Sequence, residues 1–188
     1  ADISLGIVVS PATHLAGIID FYKELQQTGK LRQPNSVKKL ADDGTYELEV
    51  FPRTAKEKFL YPSTKMAIRV KSGKNDDPPV IVHNPMDKPA GITAILAAGN
   101  TGSSHELFKS LFIENRVVVH KAHPINVDSN EIWEKILAPL YACKAVSSCD
   151  ANDGPDLCKD KRVTAIWFTG SALSAQTIEK TAAAPLTA

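Results

Sequence analysis

Apolar residues along this chain recur at two spacings, and the change from one to the other marks the elements. In HLAGIIDFYKELQQTGK (14–30), Leu15, Ile18, Ile19, Tyr22 and Leu25 stand three or four apart, which predicts a helix capped at Thr13 and stopped at Gly29. TYELEVF (45–51) alternates, with Tyr46, Leu48 and Val50 against Glu47, Glu49 and Phe51, and predicts a half-buried strand. STKMAIRVKSGK (63–74) alternates as well: Met66, Ile68 and Val70 point one way, Lys65, Arg69 and Lys71 the other. Further β-favouring runs are ISLGIVVSP (3–11), VIV (80–82), GITAILAAG (91–99), RVVVHKA (116–122) and RVTAIWFTG (162–170). Short helices are expected after the capping-box pair Ser103 and Glu106, after the cap-like pair Asp128 and Glu131, and over 173–180. Pro139 should end or kink the second of these.

Between these runs, 30–44 reads as a basic connector, 52–63 as a loop punctuated by Pro52 and Pro62, and 143–162 as a polar, cysteine-bearing loop. The central pattern suggests an antiparallel meander, and most strands alternate or are short, whereas a doubly wound sheet calls for more continuously apolar ones. The expected fold class is therefore α+β, a mainly antiparallel sheet with helices packed on one side. The alternative is a three-layer α/β arrangement, suggested by strand-then-helix order at 3–27, 91–113, 116–140 and 162–180. No repeat or linker divides the chain, so a single domain over 1–188 is expected.

Composition adds little to this picture. With 43% hydrophobic and 23% charged residues the chain reads as globular rather than disordered, and no apolar run approaches a membrane span. A start at Ala1 reads as loss of an initiator Met or of a leader. The three cysteines, Cys143, Cys149 and Cys158, are spaced C-x5-C-x8-C, which fits one local disulfide or none and lacks zinc-ligand spacing.

Charge changes the picture more. The net value is +1, but residues 53–74 carry Arg53, Lys56, Lys58, Lys65, Arg69, Lys71 and Lys74 against Glu57 alone. On a strand, Lys65, Arg69 and Lys71 would repeat at about 6–7 Å, close to the spacing of backbone phosphates, with Arg53, Lys56 and Lys58 extending the patch. The competing expectation is that Glu47 and Glu49 on the neighbouring strand neutralise its centre.

Candidate chemistry is sparse. Gly99, Asn100, Thr101, Gly102 and Ser103 follow a strand and open a helix, where backbone amides can hold a phosphate, yet the run matches neither GxGxxG nor the P-loop. His120 and His123 have no carboxylate at ligand spacing, and His14, His83 and His105 stand alone. The acidic run from Asp150 fails the EF-hand test, since Pro155 and Lys161 occupy its sixth and twelfth positions. Asp-rich surroundings work against a thiolate nucleophile, and no nucleophile elbow occurs, so no catalytic residue, metal site or cofactor is assigned.

Three functions fit these readings. First is a non-catalytic, self-assembling structural protein of coat or capsid type, partnered by copies of itself and by RNA or DNA backbone on the basic sheet face, in a virion or outside the cell. Second is a secreted binding or effector module. Third is an enzyme acting on a phosphate-bearing substrate at the 99–104 loop.

Overall fold

The structure, a computed structural model, describes residues 9–41, 44–72, 83–99 and 103–183. The expected strand at 80–82, residues 3–8 of the opening run, Asn100 to Gly102 and the end of the chain from 184 lie outside the described residues. Helices accompany both an antiparallel and a parallel sheet. The chain divides into two compact units, Asp20–Asn84 and the remainder, Ala1–Ile19 with Pro85–Ala188.

Helix α1, Ser10–Thr28, starts three residues before the expected Thr13 cap. Pro11 accounts for the difference, because its fixed φ and missing N–H suit a first helical turn. Gly29 ends the helix as expected, at φ 65°, with its N–H on the Leu25 carbonyl.

The Asp20–Asn84 unit is the meander anticipated from the alternating runs. Strands β1 (Ser36–Ala41), β2 (Thr45–Phe51) and β3 (Met66–Lys71) pair antiparallel in that order, with helix α2 (Ala55–Leu60) between β2 and β3. Register sets Val37, Leu48 and Ile68 side by side, and Lys39, Tyr46 and Val70 beside them. Leu48 (1% exposed) and Tyr46 form the buried centre of that face. Met66 and Ile68, expected to face a core, remain 58% and 46% exposed because β3 is an edge strand.

Two segments read as irregular are ordered here. The connector holds β1, whose lysines suit a sheet edge and mask its strand character. The 52–63 loop holds α2, whose Thr54 and Glu57 make a complete capping box. The Thr54 amide, and then the Arg53 amide, donate to Glu57 and hold its carboxyl below the ordinary value.

The other unit is a parallel sheet, the arrangement of the alternative reading. Its elements are β4 (Gly91–Leu96), α3 (Ser104–Phe112), β5 (Arg116–Lys121), α4 (Val127–Ile136), α5 (Ala138–Ala142), β6 (Val146–Cys149), α6 (Gly154–Lys159), β7 (Val163–Phe168) and α7 (Ala172–Ala183). Every pair is parallel, in the order β6-β5-β4-β7. Thr93, Ala94, Ile95 and Leu96 are all buried. Since successive side chains alternate faces, both faces of β4 are covered, which is how a parallel sheet is stabilised. Val118 and Val146 continue the core across β5 and β6.

The cysteine-bearing loop accordingly contains β6 and α6. The polar VSSC strand takes its ladder from β5, and Pro155 sits in the first turn of α6, where a proline is tolerated. Pro139 interrupts the helical segment as expected: α4 stops at Ile136 and Pro139 enters the first turn of α5.

The anticipated caps differ. Ser103 is the N-cap of α3 but makes no side-chain cap bond. The helix anticipated from Asp128 and Glu131 starts at Val127, after a 3-10 turn at Pro124–Asn126. Its N-cap, Asn126, directs its amide to the Ala98 and Gly99 carbonyls instead, at 3.3 and 3.1 Å.

Candidate ligand site at the carboxyl edge of the parallel sheet

From β4 the chain builds outward through β5 to β6, then returns to lay β7 on the opposite side of β4. The connections leaving β4 and β7 therefore diverge, and a crevice opens beyond the carboxyl ends of these strands. A cavity of about 570 Å³ occupies this position. Its walls come from Leu96–Gly99 after β4, Lys121 and His123 at the end of β5, Gly154, Pro155 and Cys158 of α6, and Phe168–Ser171 leading into α7.

The lining chemistry has one sign. Lys121 supplies an ammonium, and Thr169, Ser171, Ser174, Thr177 and Thr181 supply hydroxyls; among the described residues no Asp or Glu lines the cavity. The Lys121 stem passes Gly154, and its Nζ donates to the carbonyls of Ala122 and Ala151, each at 3.3 Å. Ser171 caps α7: its Oγ accepts the Ser174 amide at 3.1 Å, and its carbonyl accepts the Ala175 amide at 3.0 Å. A helix N-terminus, with its partial positive charge, thus stands in the cavity wall. Leu96, Phe168 and Ile178 add apolar surface.

Gly99 belongs here for a steric reason. A Cβ on it would lie 2.9 Å from Nδ1 and 3.0 Å from Cε1 of His123, closer than side chains normally approach. His123 lies beyond β5 rather than on it, so it does not share a strand with His120. His120 lines a neighbouring cavity of about 40 Å³, and burial holds its imidazole below the ordinary value. His14 and His105 stack at 4.3 Å between ring centroids. Burial, and then His105, lowers the pKa of His14.

No family model, curated protein or solved structure matches this chain.

The basic residues singled out from sequence lie in the other unit. Arg69 pairs with Glu47 at 2.9 Å and Lys65 with Glu49 at 3.5 Å, while Lys71 donates to Thr45 Oγ1 at 3.2 Å. Arg53 donates to the Gln33 carbonyl at 2.8 Å, and Lys56 and Lys58 are exposed on α2. Of the anticipated phosphate loop, Gly99 lines the large cavity and Ser103 the small one.

The acidic run turns onto its own backbone: Asp153 accepts the Asp150 amide at 2.9 Å and Asp150 accepts the Asn152 amide at 3.1 Å. Among the described residues no three His, Cys, Asp or Glu side chains cluster to hold a metal. The cysteines are free thiols, and burial followed by Asp153 pushes the Cys149 thiol up. No described helix is long and apolar enough to cross a membrane.

Lys121 and Ser171 were missed in the sequence. The available signal was their position at the close of β-favouring runs, where an α/β sheet presents its ligand-facing residues.

Proposed function

We propose that the parallel-sheet unit binds a nucleotide, with the phosphates at the carboxyl edge between β4 and β7. The observation that carries this reading is the large cavity at the reversal of strand order, lined by Lys121 and hydroxyls and, among the described residues, by no carboxylate. The order β6-β5-β4-β7 follows the pattern in which dinucleotide-binding sheets place their ligand, and the connection Thr169–Ser171 from β7 to α7 lines the cavity. Lys121 supplies the point charge for the anion, the Ser171–Ser174 hydroxyl pair, joined at 2.9 Å, leaves one proton to donate, and Phe168 and Ile178 supply apolar wall for the nucleoside. The run GNTGS departs from the GxGxxG fingerprint, so support comes from sheet order and cavity lining rather than from that motif.

This deepens the third sequence reading and leaves the other two unadopted. Glu47 and Glu49 pair with Arg69 and Lys65 and so balance part of the cationic strand that motivated a nucleic-acid-facing coat protein.

The test is equilibrium binding of ADP by calorimetry. Hydrogen bonds to charged groups contribute about 1.5–3 kcal/mol, so Lys121→Met should weaken ADP roughly tenfold or more. A Lys65→Ala/Arg69→Ala/Lys71→Ala variant should bind ADP as the parent does. A parent protein that binds no ADP at millimolar concentration, or a Lys121→Met variant that binds it unchanged, overturns the reading.

A further inference from the structure

The geometry points to His123 as a ligand-contacting residue, donating a hydrogen bond from Nε2 to an anionic oxygen of the bound phosphate, with Asn126 as its positioning residue. This role rests on the nucleotide reading above. His123 lines the large cavity beside Gly99, where the strand-to-helix loop begins. Its ring lies flush against the Gly99 backbone, at a separation that leaves no room for any side chain there.

One ring nitrogen is already committed. Nδ1 accepts the Ile125 amide at 3.3 Å, so in the neutral ring the proton resides on Nε2 and this nitrogen is the available donor. The backbone that carries the ring is also held. The His123 carbonyl accepts the Asn126 amide at 2.8 Å, and the Asn126 side chain ties the turn to the carbonyls of Ala98 and Gly99. The end of β5 is thereby latched to the end of β4, and His123 is fixed where the first residue of the loop leaves the sheet. A donor held rigidly by its neighbours binds an anion without first losing side-chain freedom.

ADP and adenosine binding should be compared in the parent, His123→Ala, His123→Gln and Asn126→Ala proteins, with urea unfolding to verify folding. His123→Ala should weaken ADP about tenfold and leave adenosine unchanged, because the lost bond is made to phosphate alone. His123→Gln, which keeps an N–H donor, should recover part of that loss, and Asn126→Ala should weaken ADP by a smaller factor. Unchanged ADP binding in His123→Ala, or an equal loss for ADP and adenosine, overturns the role and leaves the nucleotide site standing if the parent still binds. A parent that binds neither removes the site and the role together.

Discussion

Thr93→Val should stabilise the parallel-sheet unit. Thr93 lies on the central strand β4 with no solvent exposure, and among the described residues its Oγ1 has no hydrogen-bond partner. A buried hydroxyl in that condition costs about 1–3 kcal/mol relative to its hydration in the unfolded chain. Valine keeps the shape, replaces the hydroxyl by a methyl and suits a strand at least as well. The expected gain is about 1–2 kcal/mol, which at a urea dependence of about 2 kcal/mol per molar raises the unfolding midpoint by roughly 0.5–1 M.

Both tryptophans, Trp133 and Trp167, belong to the same unit as Thr93, so their fluorescence reports the relevant transition. Thr93→Ser serves as the control. It keeps the hydroxyl and deletes a buried methyl, and should destabilise by about 1 kcal/mol. If Thr93→Val instead lowers the midpoint by the equivalent of about 1 kcal/mol or more, the hydroxyl is satisfied in solution and the reasoning fails. Ser110 on α3 presents the same situation, fully buried with an unpartnered Oγ, and Ser110→Ala offers an independent repeat.

Two further outcomes follow from surface electrostatics. A double-mutant cycle on Glu47 and Arg69 should return a coupling of about 0.2–1 kcal/mol that fades at high salt, since the arginine side chain is 70% exposed; a coupling above about 2 kcal/mol would contradict this. The Asp160 carboxyl, held by Arg162 side-chain and backbone hydrogen bonds, should titrate by NMR at about 2 rather than at its ordinary 3.8. A depressed native value means that any stability it lends is present above 3.8 and lost as pH falls toward 2, and Arg162→Ala should move the midpoint back up.

Much of the fold was legible where one spacing dominated. The 3–4 spacing of Leu15 to Leu25 and the alternation of TYELEVF both produced the predicted elements. What stayed hidden were elements whose own residues argue against them. VSSC and SVKKLA are strands because neighbours supply their ladders; the partner of VSSC lies 28 residues earlier, beyond any local pattern, and the lysines of SVKKLA hide its alternation. The parallel sheet was obscured in a similar way. Its strands are six residues or fewer, and Thr93 breaks the apolar run of β4 although it is fully buried. The candidate site was legible only at Gly99, since Ser103 lines the neighbouring small cavity. Lys121 precedes Ser171 and Ser174 by about 50 residues and meets them only because β7 returns to the far side of β4. The basic block was visible in sequence, and so were Glu47 and Glu49 on the adjoining strand, which pair with Arg69 and Lys65.

The division of labour around the cavity has an evolutionary consequence. Apart from Lys121, the hydroxyl and imidazole groups on its wall come from segments that follow the strands or from the exposed turns of α7, while Ala94, Ile95 and Val118 hold the sheet together beneath. Descendants of this chain can therefore trade serine and threonine at 174 and 177 for other residues, and so drift toward different small molecules, while inheriting an unaltered scaffold.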